Sequence, residues 1–220
     1  MSDTTESAEQ AYARRAEIPG TIDFTMMYVA HDAFNRDLGR LCAAADAGKS
    51  LSPAALVTWQ MFSRQLHFHH TAEDVALWPR LYEVVTEATE KQILEDMETE
   101  HGALDPLLQR IDAAIVRGDE RTLGESLTAL AQGLTVHMCH EEEDALPLIE
   151  RRLGQAGWDA FGKHVRSEAG LKGGAQYLPW VLDSARPAYA TKVLGMLPAP
   201  ARLLYSRRWE PRYRRTQGLR

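Results

Sequence analysis

Apolar residues recur every three or four positions along four long stretches of the chain, which is the spacing of one face of an α-helix. The second stretch begins with Ser52-Pro53, a capping serine followed by proline at the first helical position. The third stops at Gly118 and the fourth near Gly154. The alternation typical of strands is absent from the sequence. We therefore predict an all-α protein with an up-down-up-down four-helix bundle.

The regions that flank the four stretches differ from them in composition. Residues 1–20 are polar and acidic, and we predict a flexible N-terminal segment there rather than a signal peptide. Residues 153–220 are richer in proline and glycine and end in "ARLLYSRRWEPRYRR". We predict a C-terminal helical extension packed on the bundle, which occupies residues 21–152. Its basic terminus is either a solvated surface or a docking segment for an acidic partner or a membrane surface.

The composition is that of an ordinary globular protein. Of its 220 residues, 45% are hydrophobic and 25% are charged. The net charge of −6 argues against nucleic-acid binding. No apolar run is long enough to predict a membrane span. Cys42 and Cys139 lack the spacing of a disulfide framework or a zinc site, so we expect reduced thiols in a cytoplasmic protein.

Two segments of the chain repeat a short polar pattern. "HFHHTAEDVALWPRL" and "HMCHEEEDALPLI" both contain His-x-x-x-Glu, six residues before a proline. The pattern aligns His69 with His137, and Glu73 with Glu141. Residues four apart lie on one face of a helix, and each pair continues the apolar stripe of its own helix. Both pairs are therefore predicted to face the interior of the bundle.

Three further histidines lie close to these pairs in the sequence. Around the helix axis, His67 and His70 are roughly 160° and 100° away from His69. We therefore expect His67, His70 and His140 to lie off the stripes and not to bind metal.

The first and third helices each place one histidine in their stripes, namely His31 and His101. The four inner faces together offer four imidazoles and two carboxylates, without arginine or lysine. A buried carboxylate is costly unless it is paired or bound to metal. Histidine with carboxylate is a ligand set for iron, manganese or zinc. Two carboxylates fit two metal ions better than one, and Asp74, Asp105 and Asp144 are weaker ligand candidates.

The order of these residues resembles the hemerythrin-like, or HHE cation-binding, family over residues of about 21–152. The resemblance rests on "AHDAFNRDL", "HHTAEDVALWP", "ETEHGALDPLL" and "HMCHEEEDALP". It implies a four-helix bundle that holds two iron ions joined by an oxo or hydroxo bridge. By matching position, the terminal ligands would be His31, His69, His101 and His137. Glu73 and Glu141 would be the bridging carboxylates.

The chain departs from the oxygen-carrying members of this family at two positions. Met97 stands where those proteins have a further histidine, one turn before His101. Glu141 follows His137 by four residues, whereas the family's aspartate follows by five. One iron would thus lack a ligand unless water or a side chain replaces it, and this counts against simple reversible oxygen transport. The candidate replacements are Tyr28, Tyr82 and Asp105.

Several functions are compatible with such a site. The first is a redox protein that binds or reacts with oxygen, peroxide or nitric oxide, served by an unknown electron donor, with peroxidase or catalase activity left open. The second is an iron or oxygen sensor whose metal state alters a partner surface. The third is a metal-free bundle with a polar core. A ferritin-like site needs Glu-x-x-His on two helices, and in the stripes it occurs only at Glu98-x-x-His101.

Overall fold

The computed structural model describes residues 8–218, and most of these residues are helical. The helices are α1 (Ala8–Glu17), α2 (Thr25–Asp46), α3 (Pro53–Ala76), α4 (Trp78–Tyr82), α5 (Ala88–Arg117), α6 (Glu120–His140), α7 (Leu146–Arg152), α8 (Gly154–Leu182), α9 (Pro187–Met196), α10 (Ala199–Leu204) and α11 (Glu210–Thr216). Two π-helical turns, Glu141–Ala145 and Tyr205–Trp209, join α6 to α7 and α10 to α11. No strand occurs between residues 8 and 218, so the predicted all-α class is confirmed.

Helices α2, α3, α5 and α6 form the predicted four-helix bundle, and their ends follow the sequence signals. The Ser52 side chain accepts a hydrogen bond from the backbone nitrogen of Ala55, with Pro53 at the first turn of α3. Helix α5 ends at Gly118, whose φ of 67° is in the left-handed region that favours glycine. These short connections make consecutive helices antiparallel neighbours.

The bundle interior contains two apolar clusters with a polar layer between them. One cluster surrounds Phe34, Phe62 and Leu130. The other surrounds Trp78 and Met97 and receives α4, α7 and the first part of α8. All four bundle helices contribute polar side chains to the layer between the clusters. This layer contains the residues that the sequence singled out.

The N-terminal segment is ordered in part, so the expectation of a flexible lead-in is wrong for residues 8–17. These residues form α1, in which Ala11 and Arg15 are buried. Arg15 pairs with Asp32 and with Glu142, two acids that the sequence pattern did not connect to this segment. Residues 1–7, which belong to the same expectation, lie outside the described part of the chain.

The C-terminal extension packs on α2 and α3, as predicted. Helix α8 bends at Gly170, where φ is 56° and ψ is −169°. Beyond this bend, the fully buried Trp180 donates its indole N–H to Asp37 at 2.7 Å. Among residues 8–218, no helix is long and apolar enough to cross a bilayer.

Candidate metal centre

The polar layer contains two groups of three potential ligands. In each group the donor atoms lie within 4.8 Å of one another. The groups are His31, His69 and Glu141, and His70, His101 and His137. Glu73 lies between them, with Oε1 3.2 Å from Nε2 of His69 and Oε2 3.7 Å from Nε2 of His101. The layer therefore has the layout of two adjacent cation sites that share one carboxylate.

Most donor atoms of this layer are buried and make no hydrogen bond; the exceptions are the Nε2 atoms of His101 and His137, which lie 3.2 Å apart. Glu73 and Glu141 are both 0% exposed. Nε2 of His31, His69 and His70 and all four carboxylate oxygens of Glu73 and Glu141 make no well-aligned hydrogen bond, although Nε2 of His31 lies 3.0 Å from Glu141 and Nε2 of His69 lies 3.2 Å from Glu73. Buried polar atoms normally find partners, and a concentration of orphans such as this one is costly. Iron, manganese or zinc would satisfy these donors, so the residues present fit a bound metal.

Carboxylates on the outer side of the layer hold three of the histidines. Nδ1 of His31 lies 2.7 Å from Glu142, and Nδ1 of His101 lies 2.9 Å from Asp74. Glu100 lies 2.9 Å from Nδ1 of His137. When Nδ1–H donates to a carboxylate, Nε2 is left as the lone-pair nitrogen that faces the centre. This arrangement is typical of histidines that bind metal.

The π-helical turn places two consecutive glutamates in the interior. Glu141 is 0% exposed and Glu142 is 1% exposed, although neighbouring residues of an α-helix differ by about 100° in direction. The turn runs from Glu141 to Ala145. π-helical turns are frequent at functional sites. In this chain the turn lets Glu141 face the centre while Glu142 contacts His31.

Helix α1 is tied to the centre through a buried ion pair. Arg15 donates to both oxygens of Glu142, at 2.9 and 2.7 Å, and its third contact is Asp32 at 2.7 Å. Glu142 in turn contacts His31. No signal in the sequence pointed to Arg15, because it lies 127 positions before Glu142 and outside every apolar stripe.

Replacing Glu142 with alanine is expected to destabilise the protein by about 3 kcal/mol, because the buried Arg15 loses its main partner. His31 also loses the carboxylate that orients it, so metal should dissociate more readily. Urea unfolding of the metal-loaded protein measures the first effect. Glu143 is the matched control, since its side chain is 51% exposed and its contact is with Arg14. Equal loss of stability in both variants would contradict the role given to Glu142.

The structure brings together all six residues that the sequence proposed as ligands. His31, His69 and Glu141 lie in one group, and His101 and His137 in the other. Glu73 spans the two groups. Asp74 contacts Nδ1 of His101 from outside the layer. Asp105 is exposed.

The expectation that His70 points away from the centre is wrong. His70 is buried, its Nε2 has no partner, and its ring stacks on His101 with 3.9 Å between centroids. The layer is wide enough for neighbouring positions of α3 to serve its two sides. His69 turns towards His31 of α2, whereas His70 turns towards His101 of α5. His67 is exposed, as expected.

His70 also changes the meaning of the methionine in the third helix. Met97 is 0% exposed and belongs to the apolar cluster beside the layer. The group that contains His101 nevertheless has three histidines, because His70 completes it. The coordination position that the sequence left vacant thus has a candidate ligand from the preceding bundle helix.

Protonation of the layer is dominated by burial and by its two carboxylates. Burial opposes protonation of His31, but its contacts with Glu141 and Glu142 outweigh this and raise the pKa of His31 to about 9. Burial lowers the pKa of His69 to about 3. Burial and the charge of Glu141 raise the pKa of Glu73 well above its ordinary value. Without metal, the layer must therefore hold protons that cations would displace.

One further group, in the C-terminal extension, lies within the electrostatic range of this layer. Burial, and then the negative charge of Glu73, raise the pKa of the Tyr177 hydroxyl. Tyr177 also packs on Trp180, with 5.6 Å between ring centroids. No pattern in the sequence connects Tyr177 to this layer, because helical periodicity does not relate α8 to α3.

A layer of histidines and carboxylates across a four-helix bundle defines a metal-binding helical-bundle protein. The model of the hemerythrin HHE cation-binding domain matches residues 23–149, which is more than half of the chain. The chain belongs to this family. No curated protein and no solved structure matches it. The match includes the whole ligand layer and ends before α8.

Proposed function

We propose that this protein is a hemerythrin-like non-haem di-iron protein that binds or reacts with oxygen, peroxide or nitric oxide. The observation that carries the proposal is the set of buried, unpartnered donor atoms arranged in two groups around Glu73. One iron would be held by His31, His69 and Glu141. The other would be held by His70, His101 and His137. Glu73, and the second oxygen of Glu141, are suited to bridging.

Bound iron would supply electron transfer and a coordination position for a small ligand, and the chain controls both. The apolar clusters on the two sides of the layer separate it from bulk water. Glu142, Asp74 and Glu100 fix the histidine rings, so the donor atoms need little rearrangement when the charge of the centre changes.

His70 changes the expected number of open coordination positions at the proposed centre. The sequence placed four histidines at the centre, which left one iron without a ligand and counted against simple reversible oxygen transport. Five histidines restore the number that the oxygen carriers use. The argument from Met97 against reversible oxygen binding therefore loses its basis. Transport, peroxide turnover and nitric oxide reaction all remain outcomes of the same proposed centre.

Metal analysis and an optical spectrum of the native protein test this proposal. We expect two irons per chain, one for each group of donors, and oxo-to-iron charge-transfer bands in the near ultraviolet. Stopped-flow mixing of the reduced protein with oxygen, peroxide and nitric oxide then separates the three reactions. Native protein that holds zinc or manganese in the same layer, or no metal, would contradict the di-iron assignment.

A sensor is the second candidate function, because Arg15 and Glu142 connect the ligand His31 to α1. A change in the metal could then alter how α1 packs. Hydrogen exchange of α1, compared between loaded and metal-free protein, distinguishes this function from a purely redox one. The cytoplasmic location and the external electron donor expected from the sequence remain part of the proposal.

A further inference from the structure

The corner between α9 and α10 exposes an unusual run of apolar residues. The segment "GMLPAPARLL", residues 195–204, contains one charged residue, Arg202. Met196 is 49% exposed and Leu203 is 53% exposed, with Leu204 at 36%. Pro198 and the residues up to 200 are exposed as well. This corner is part of the surface, and it offers almost no polar side chain to water.

A basic surface follows the apolar corner directly. Residues 199–218 contain six arginines and one glutamate, although the whole chain has a net charge of −6. All six arginines are exposed: Arg202, Arg207, Arg208, Arg212, Arg214 and Arg215. Arg214 lies 4.0 Å from Glu210. The other five make no ion pair with any residue between 8 and 218, so their charge is available to a partner.

The opposite face of the same segment is fixed to the bundle. Tyr205 and Tyr213 are buried, and Trp209 packs against the larger apolar cluster. The Tyr213 hydroxyl donates to Asp183 at 3.2 Å, and Asp183 also accepts from Arg40 at 2.7 Å. These contacts hold the inner face in place. Leucines 203–204 and arginines 207–208, about one turn apart, are therefore presented outward together.

We propose that the apolar corner and the arginines after it form a docking surface for an anionic lipid bilayer. An exposed apolar tip can enter the headgroup region of a bilayer, and flanking arginines attract anionic headgroups. The acidic remainder of the chain is repelled by the same membrane, which orients the protein with α10 and α11 towards the lipid. The metal layer, in the bundle interior, stays on the solvent side of this contact.

Charge complementarity and shape favour a bilayer over other occupants. A nucleic acid would match the arginines but not the leucines and prolines of the corner. A protein groove would need to match both the exposed apolar turn between the ends of α9 and α10 and the arginines that follow it. A bilayer needs only apolar side chains beside cations, and this is what residues 196–208 present.

Flotation of the full chain with lipid vesicles tests the proposal. We expect binding to phosphatidylcholine vesicles that contain about 30% phosphatidylglycerol, and little binding without it. The binding should largely disappear in about 0.5 M NaCl, where charges are screened. Replacing Arg207 and Arg208 with alanine should weaken binding about 25-fold, or about fivefold for each arginine. L203S/L204S should weaken it as well, at unchanged ionic strength.

The matched control removes two exposed arginines from the bundle. Arg110 and Arg121, with side chains 54% and 79% exposed, make surface contacts with Glu125. R110A/R121A should bind the anionic vesicles as the wild type does. Circular dichroism and metal content confirm that every variant is folded, and the test does not depend on which metal is bound.

Three outcomes would overturn the proposal. The first is absence of flotation with anionic vesicles. The second is equal loss in R110A/R121A, which would show a general charge effect. The third is self-association of the wild type that R207A/R208A abolishes while vesicle binding is absent, which would assign the surface to a second copy of the chain. Binding to an acidic polypeptide without binding to vesicles would likewise assign it to a protein partner.

Discussion

Replacing Glu73 with alanine is expected to weaken the binding of both metal ions by more than about 100-fold, since loss of an outer partner of a ligand already costs 10–100-fold. Glu73 lies 3.2 Å from His69 and 3.7 Å from His101, so its removal takes a donor from both groups at once. Iron content after gel filtration, together with the loss of near-ultraviolet bands, measures the effect. A variant that keeps both irons would show that Glu73 is not shared.

His70 and His67 provide the matched test of the ligand set on the same helix. His70→Ala removes a buried donor from one group, so we expect it to lose one of the two irons and to retain the other. His67 is exposed, and His67→Ala should keep both. If His70→Ala keeps both irons with an unchanged spectrum, His70 is a core histidine. The coordination position that a histidine at position 97 would fill is then open.

The helices, and the convergence of the six residues first proposed as ligands, could be predicted because both depend on positions along single helices. A histidine or glutamate within an apolar stripe must enter the core, whatever packs against it. His70 could not be found in this way. Its α-carbon lies on the flank of the stripe, and its ring reaches the layer because α5 supplies a stacking partner, His101.

The outer contacts of the centre could not be predicted for a different reason. Arg15 and Glu142 are far apart in sequence, and each taken alone has the pattern of a solvent-exposed charge. Only the packing of α1 against the π-helical turn brings them together. The same holds for Tyr177, which lies within the electrostatic range of Glu73 because α8 packs against α2 and α3. Such contacts depend on how helices pack, and one sequence does not encode this in any local pattern.

Removing the metal is expected to destabilise the protein, and more strongly at pH 8.5 than at pH 6.5. The pKa of Glu73 is raised in the folded chain. Above the ordinary pKa of a glutamate, the unfolded chain loses this proton while the folded chain must keep it, so the folded state is destabilised. The pKa of His31 is raised to about 9, so its contribution is complete below 6.5 and is lost as the pH rises through 9. His31 therefore reduces the stability of the metal-free protein between pH 6.5 and 8.5, and the cost of Glu73, which begins above its ordinary pKa, is present at both values.

Acid should destabilise the metal-free protein as well, through a third group of the same layer. His69 has its pKa lowered to about 3, so its contribution is present above 6.5 and is lost as the pH falls below that value. Burial lowers the pKa of His70 in the same way, so the two histidines together outweigh the opposite effect of Glu73, and the metal-free protein should be most stable near pH 6.5. Each proton difference changes the free energy of unfolding by up to about 1.4 kcal/mol per pH unit.

Metal reverses this dependence, because cations displace the protons and bind more tightly as the ligands lose them. At a thousandfold excess over its Kd, bound metal adds about 4 kcal/mol. The difference in melting temperature between loaded and chelated protein should therefore grow from pH 6.5 to 8.5. Glu73→Gln is the control: in the metal-free state it removes a carboxyl that must stay protonated, so it should be more stable than the wild type at pH 8.5. Equal melting temperatures for chelated wild type at both pH values, with metal loss verified, would contradict a proton-holding layer at Glu73 and His31.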